Sequence, residues 1–329
     1  MNAVEAGPVP LTGSERPAAE FDFIARHFRP LAGPDALELR DDAAVFDPPP
    51  GRSLVVCADA MVGGVHFLPN DPPATVARKL LRVNLSDLAA MGAVPLGYLM
   101  TVSVPPDLPP DWFSGFSAGL ASDQLRYGLS LLGGDTTSTS GPLVLSLTIL
   151  GHVAPGAALR RNGAQPGDAI WVTGTIGDGT LGLACLQGEL DDPSGHLVDR
   201  YRLPRPRVGL ALAGIAHAAI DVSDGLVQDA GHLCRESGVA ARIEAARVPA
   251  SEAARVAGPG WLERRLTGGD DYELLLAVPP DREPALQAAA AEAGIAVTRI
   301  GMVECGAGVT MIDAAGHPMT IRRPGWSHF

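Results

Sequence analysis

The sequence predicts an α+β protein in two domains, and three observations lead there. The chain has 329 residues of which 46% are hydrophobic, enough for about two domains with cores of their own. Apolar positions switch repeatedly between a period of two and a period near 3.6, so short strands and helices alternate along each half. The stretch APGAALRRNGAQPGD, residues 154–168, breaks both periods and is the best boundary. The expected organisation is a frayed Pro/Ala/Gly-rich tail at 1–19, one domain over 20–153 and a second over 154–329.

In chain order, EFDFIARHFR reads as a helix, followed by short strands around 37–47, 53–59 and 63–68 between Pro/Gly turns. A helix over 74–91, a strand over 96–104 and a helix over 109–128 come next, then LSLLGGDTTS. Residues 142–153 alternate as a half-buried strand does. Beyond the boundary come a strand at 169–173, helices near 178–189 and 207–218, and a strand, turn and helix within AIDVSDGLVQDAGHLCRESG. A strand in YELLLAV, an Ala-rich helix over 281–293 and strands over 295–303 and 308–313 complete the chain.

Several function classes are disfavoured. A net charge of −12 argues against nucleic acid or an anionic membrane surface as partner. No apolar run approaches the roughly 20 residues of a membrane span, and the N-terminus lacks the build of a signal peptide, so a cytoplasmic protein is expected. Cys57, Cys185, Cys234 and Cys305 form no C-x-x-C pair and read as buried free thiols. Lys79 is the only lysine, and no phosphate-loop glycines precede it. GDGTLG, residues 177–182, matches a dinucleotide fingerprint, but no second strand with a terminal acid follows; a tight strand-to-helix turn explains it better.

The chemistry sits in the aspartates. In a helix over 74–91, Asp87 falls on the side of Val76, Leu80, Val83 and Met91, with Thr75, Arg78 and Arg82 pointing the other way. A buried carboxylate needs a cation. Asp42, Asp59, Asp135, Asp221 and Asp224 share its apolar context. One such residue would be a cap or turn, as Asp224 and Asp135 individually could be, but six are harder to dismiss. If they converge, hard oxygen ligands select Mg²⁺ or a similar ion, and such a cluster binds phosphate oxygens well. The glycine pairs at 133–134 and 268–269 would let backbone N–H groups approach phosphates, and Arg161 could neutralise another phosphate charge.

VNLSDLAAMGAVP, LLGGDTT, RRNGAQPGD, VTGTIGDG, IDVSDGL and TGGDDYELL occur in the order of the motifs of thiamine-monophosphate kinases. From about Glu20 to Phe329 the chain resembles that family, within the aminoimidazole ribonucleotide synthetase superfamily. The resemblance implies an N-terminal α+β domain that forms a homodimer through a shared β-barrel and a C-terminal α/β domain that closes over the nucleotide. It implies transfer of the γ-phosphoryl of ATP to thiamine monophosphate, giving thiamine diphosphate and ADP. By motif, Asp42, Asp59, Asp87, Asp135, Asp221 and Asp224 would hold several Mg²⁺ ions, with Cys57 and Ala58 contributing main-chain oxygens only. Gly134, Asp135, Arg161 and Ser223 would contact ATP, and His66, Asp270 and Trp326 thiamine monophosphate. The chain departs from the family at Cys57-Ala58-Asp59, where Ser/Thr-Thr-Asp is usual, at Arg40 for a glycine, and at Asp270 for a glutamate.

No nucleophile has a base beside it in any local motif, so direct in-line attack by the acceptor phosphate is expected, with no catalytic residue beyond the metal ligands. The rivals are another ATP-using superfamily member, such as an aminoimidazole ribonucleotide, selenophosphate or hydrogenase-maturation enzyme, and, from a different class, a non-catalytic metal-binding protein.

Overall fold

The computed structural model describes residues 16–327; residues 1–15 of the expected tail and the closing His328 and Phe329 lie outside the described residues. The first half contains α1 (Arg16–His27), β1 (Ser53–Val62), α2 (Pro73–Ala90), β2 (Val94–Val104), α3 (Trp112–Tyr127), β3 (Ser130–Ser138) and β4 (Val144–Val153). Its sheet has the order β1-β4-β2-β3, antiparallel except for the β2–β3 pair. Period-two alternation puts Leu145, Leu147 and Ile149 of β4 under the helices with Leu80, Leu88 and Phe116. The opposite face of the same sheet leaves Leu54, Val56, Val94 and Leu99 between 41% and 58% exposed.

The second half contains β5 (Ala169–Thr173), α4 (Asp178–Leu186), α5 (His196–Arg202), β6 (Ala218–Val222), α6 (Leu226–Ser237), β7 (Ala240–Glu244), α7 (Glu252–Val256), α8 (Leu262–Thr267), β8 (Glu273–Val278), α9 (Glu283–Glu292), β9 (Val297–Glu304) and β10 (Gly308–Ile312). Its six strands run β10-β7-β9-β5-β8-β6, with only β10–β7 parallel. β5, β6 and β8 are buried at every position. Val227, Ala230 and Leu233 of α6 pack on one face with Val172, Ile220 and Leu275. Leu286 and Ala290 of α9 pack on the other with Trp171, Ala219 and Leu276.

α2 lies between the two halves, touching β1, β4 and α3 on one side and β6, β8 and α5 on the other. This explains a mixed surface. Arg82, on the side away from the apolar stripe, is only 3% exposed because its guanidinium binds Asp123 of α3 at 2.6 and 3.0 Å.

Four expected elements differ. The strand at 37–47 is absent: Pro34 opens a 3₁₀ segment (Pro34–Leu39), and Leu37, Glu38 and Leu39 adopt left-handed φ values of 50–57° that no strand has. The strand at 63–68 is a turn, in which Val65 and His66 donate their N–H groups to the Val62 carbonyl and only Gly63 bridges Phe67. The helix at 207–218 does not form, since Gly209 and Gly214 take φ values of 89° and 72°. Instead α5 forms earlier and ends just before Pro204. β7, α7 and α8 went unread. α1 begins at Arg16 rather than Glu20. All four cysteines are free as expected, yet only Cys234 is buried and Cys305 is exposed. No described helix is long and apolar enough to cross a membrane.

Candidate active site

Where β1, α2 and β6 meet, the structure brings together four of the six singled-out aspartates. Asp59 is on β1, Asp87 on α2, Asp221 at the end of β6, and Asp224 in the turn before α6. Their carboxyls perturb one another. Burial pushes Asp87 up to about 8, and the nearby charges of Asp221 and Asp59 add to it. Burial raises Asp221 to about 6, with Asp59 adding and a Ser86 hydrogen bond opposing. Asp59 is raised by burial and then by Asp224. Arg161 is the cation acting on both Asp87 and Asp221, so the cluster carries more negative than positive charge. A hard divalent cation fits this donor set: all-oxygen, surplus in negative charge and held by regular elements.

The supporting residues were not read from the sequence. Ser86 donates to Asp221 at 2.8 Å, and the Asn84 amide oxygen accepts the Asp59 N–H at 3.0 Å; both side chains are fully buried. A polar residue at 84, 86 and 87 of a core helix was the available signal, since one apolar partner surface cannot account for it. Asp229 was also missed. Its carboxylate accepts the N–H groups of Asp224 and Gly225 at 3.0 and 3.1 Å, and together with Asp224 and His232 it offers ligand atoms within 4.8 Å of one another. Burial pushes Asp229 well above the usual carboxylate range.

Asp42 and Asp135 are elsewhere. Both are exposed and, with Gly134, line a separate cavity of about 220 Å³ beside β3. The register Asp59–Leu147–Met100–Gly134 crosses the whole sheet, so β1 and β3 are separated by three strand spacings, roughly 14 Å. They also face opposite ways. Asp59 is aligned with buried Leu147, whereas Asp135 is aligned with exposed Thr101. Within one chain the six aspartates therefore cannot share a single ion, and Gly134 and Asp135 are apart from Arg161 and Ser223. Ala58 is exposed on the face opposite Asp59, and the Cys57 thiol, raised by burial and then by Asp87, lies on the Asp59 side.

Of the residues expected at the acceptor, Asp270 and Trp326 lie beside the four-carboxylate cluster and His66 is linked to Asp270 through Lys79. The Asp270 N–H donates to the Ser223 carbonyl at 2.9 Å, and the Trp326 N–H to the Asp224 carbonyl at 3.0 Å. Trp326 is 53% exposed at the rim. His66 accepts the Val62 N–H at Nδ1, and its carbonyl accepts a hydrogen bond from Lys79. The Tyr272 phenol, between these groups, is pushed up by burial and then by Asp270, Asp59, Asp221 and Asp87.

Close packing of the chain also requires glycine in both pairs. A Cβ on Gly134 would fall 1.8 Å from the Met100 carbonyl oxygen, and one on Gly269 would fall 2.3 Å from that of Ser223, so the space is filled by the chain itself. GDGTLG is the strand-to-helix turn read from the sequence. Its Gly177 and Gly179 N–H groups are taken by the Asp271 carboxylate at 2.7 and 3.1 Å, which occupies the anion-binding end of α4.

Comparison with known proteins gives the family. The family model described as AIR synthase related protein, N-terminal domain, matches residues 40–153, and the C-terminal domain model matches residues 165–314. A thiamine-monophosphate kinase of Caulobacter vibrioides is 47% identical over 322 residues, 95% of this chain and 91% of that protein. The chain belongs to the thiamine-monophosphate kinase family. The family member from Stenotrophomonas maltophilia K279a, a crystal structure, superposes with a TM-score of 0.79 at 40% identity, covering 89% of this chain and 95% of that one. The structure of AaThiL complexed with AMPPCP and TMP superposes with a TM-score of 0.75 at 29% identity, covering 97% and 100%. The two-domain α+β fold expected for the family is the fold observed.

Proposed function

We propose that this chain catalyses ATP-dependent phosphorylation of thiamine monophosphate to thiamine diphosphate. The observation that carries the reading is the convergence of Asp59, Asp87, Asp221 and Asp224, with Arg161 acting on Asp87 and Asp221, Asp270 and Trp326 beside them, and His66 joined to Asp270 through Lys79. The named relatives at 47% identity and the solved complex with AMPPCP and TMP agree with it.

In this reading the four aspartates hold Mg²⁺. Mg²⁺ held by these residues would supply charge neutralisation for phosphoryl transfer. The protein's own part is positional. Ser86 and Asn84 fix Asp221 and the Asp59 backbone, Arg161 and Ser223 meet the nucleotide phosphates, and Asp270, His66 and the Trp326 ring hold the acceptor. The acceptor phosphate oxygen is already anionic, so in-line placement is sufficient and no general base is required.

Asp42, Gly134 and Asp135 belong to the same site in a homodimer. The edge position of β1 and β3 and the exposed Leu54, Val56, Val94 and Leu99 favour a two-fold partner that closes the four-stranded sheet into a barrel. In that arrangement the partner's β3 would lie along this chain's β1. The working division is the dimerising domain over 20–153 and the closing domain over 154–329. Four free cysteines suit a cytoplasmic setting, where thiols stay reduced.

The deciding experiment is incubation of the purified protein with ATP, Mg²⁺ and thiamine monophosphate, followed by chromatography for thiamine diphosphate. Formation of the diphosphate with one ADP per turnover is expected. ATP consumption without it would exclude the assignment.

A further inference from the structure

Lys79 has no part in the metal cluster, yet it is the only lysine of the chain and is 3% exposed. Its ammonium has three neighbours from three separate segments. Nζ lies 3.1 Å from Asp270 Oδ1, donates to the His66 carbonyl at 3.1 Å, and sits 3.9 Å from the centroid of the Tyr201 ring. A compact point charge with three donors suits this junction, and the planar fork of an arginine would not. Desolvating an ammonium is costly, and a carboxylate, a carbonyl and a π face together offset it. With all its directions used inside the protein, Lys79 cannot reach out to a phosphate.

The segment it holds is strained. Asp270 and Tyr272 have φ values of 73° and 52°, left-handed backbone in residues that bear side chains. Two further contacts secure it: the Asp270 N–H to the Ser223 carbonyl and the Tyr272 N–H to the Val222 carbonyl, at 2.9 and 2.8 Å. Asp270 therefore reaches Lys79 of the first domain with its side chain and Ser223, just past β6 of the second, with its backbone. Its Oδ1 is engaged, whereas Oδ2, on a side chain 28% exposed, has no hydrogen-bond partner among the described residues.

We propose that Lys79 is a positioning residue for the acceptor end of the site: it locks Asp270 and the His66 turn at a fixed separation and leaves Asp270 Oδ2 aimed at the ligand. This rests on the assignment of His66 and Asp270 to the acceptor made above. Because the Lys79–Asp270 pair is neutral overall, the free oxygen recognises an N–H donor on the acceptor's organic part through a hydrogen bond.

The test pairs kinetics with amide exchange. Lys79→Met keeps the length and removes the charge. It should raise KM for thiamine monophosphate about tenfold, the loss of one hydrogen bond to a charged group, while KM for ATP changes less than about twofold. Asp270→Asn should do the same, and the double variant should be no worse than the poorer single variant, since both act through one contact. Without any substrate, exchange at the Asp270 and Tyr272 amides should accelerate in Lys79→Met. Parallel rises in both KM values, additive effects, or unchanged exchange would overturn the proposal. Should Lys79→Met not fold, Asp270→Asn decides alone, by the KM split and by faster exchange at Tyr272. Should the wild type make no thiamine diphosphate, the function assignment fails while the exchange measurement still reports on Lys79.

Discussion

The two sheets of this protein obey opposite rules. In the six-stranded sheet, α6 and α9 cover the two faces, and β5, β6 and β8 have no exposed position. In the four-stranded sheet one face is under helices and the other exposes Val56 at 58% and Val94 at 54%. The first is finished within one chain. The second is finished only when something covers it, and the split of the six aspartates follows the same line: four at the finished junction and two at the open edge.

The largest expected effect breaks that division directly. Asp87→Asn and Asp135→Asn should each lower kcat at least about a hundredfold with the fold intact, because each removes charge stabilisation and no core volume. If the open edge completes a partner's site, mixing the two inactive variants after subunit exchange should restore about a quarter of wild-type activity, since half the pairs are mixed and each has one intact site. No recovery from a mixture shown to exchange would place Asp135 outside the site.

Next comes packing. Leu275→Ala in the covered sheet should cost about 3 kcal/mol in denaturant unfolding. Val56→Ala would cost under about 0.5 kcal/mol if its face stayed open to solvent. A larger loss, growing as protein concentration falls, would show that a second copy covers Val56, and light scattering should then report a dimer.

A smaller effect comes from pH. Asp87 is raised to about 8 in the folded chain from an ordinary value of 3.8, so the metal-free native state keeps a proton that the unfolded chain releases. Stability of the metal-free protein should therefore fall as pH rises through that window, and its Tm should be lower at pH 8 than at pH 6. Mg²⁺ should release protons on binding and raise Tm more at pH 8. An equal Mg²⁺ effect at both values would remove Asp87 from the ligand set. The smallest effect is Glu252→Ala, which breaks an exposed pair with Arg255 and should shift stability by no more than about 0.5 kcal/mol.

Much of this was legible in the residues. β4 and α2 were readable because ten and eighteen residues allow a period to show. The segment 37–47 was not, because Leu37–Leu39 owe their left-handed backbone to local turns rather than to any alternation. Asp59, Asp87, Asp221 and Asp224 stood out as charges in apolar settings, a signal that survives folding. Asp42 and Asp135 gave the same signal from an edge strand and its neighbouring turn, where apolar flanks belong to the other face of the strand. Asn84 and Ser86 were missed although polar residues in a core helix signalled them, and Asp229 was missed because nothing local in the sequence separates it from a helix-capping or solvated residue.

α2 has a consequence for how the molecule can vary. Lys79 and Asp87 are eight residues apart on one unbroken helix, which fixes their separation along its axis at about 12 Å. On the roles proposed above, the helix would set the distance between the organic end and the phosphate end of a bound acceptor. That distance changes only in discrete steps. Adding or deleting one residue between the two would change the length by only about 1.5 Å but would turn Asp87 by about 100° away from Asp221. Such a change should be more damaging than substitution of a neighbouring side chain that holds no partner, because it displaces Asp87 as a whole.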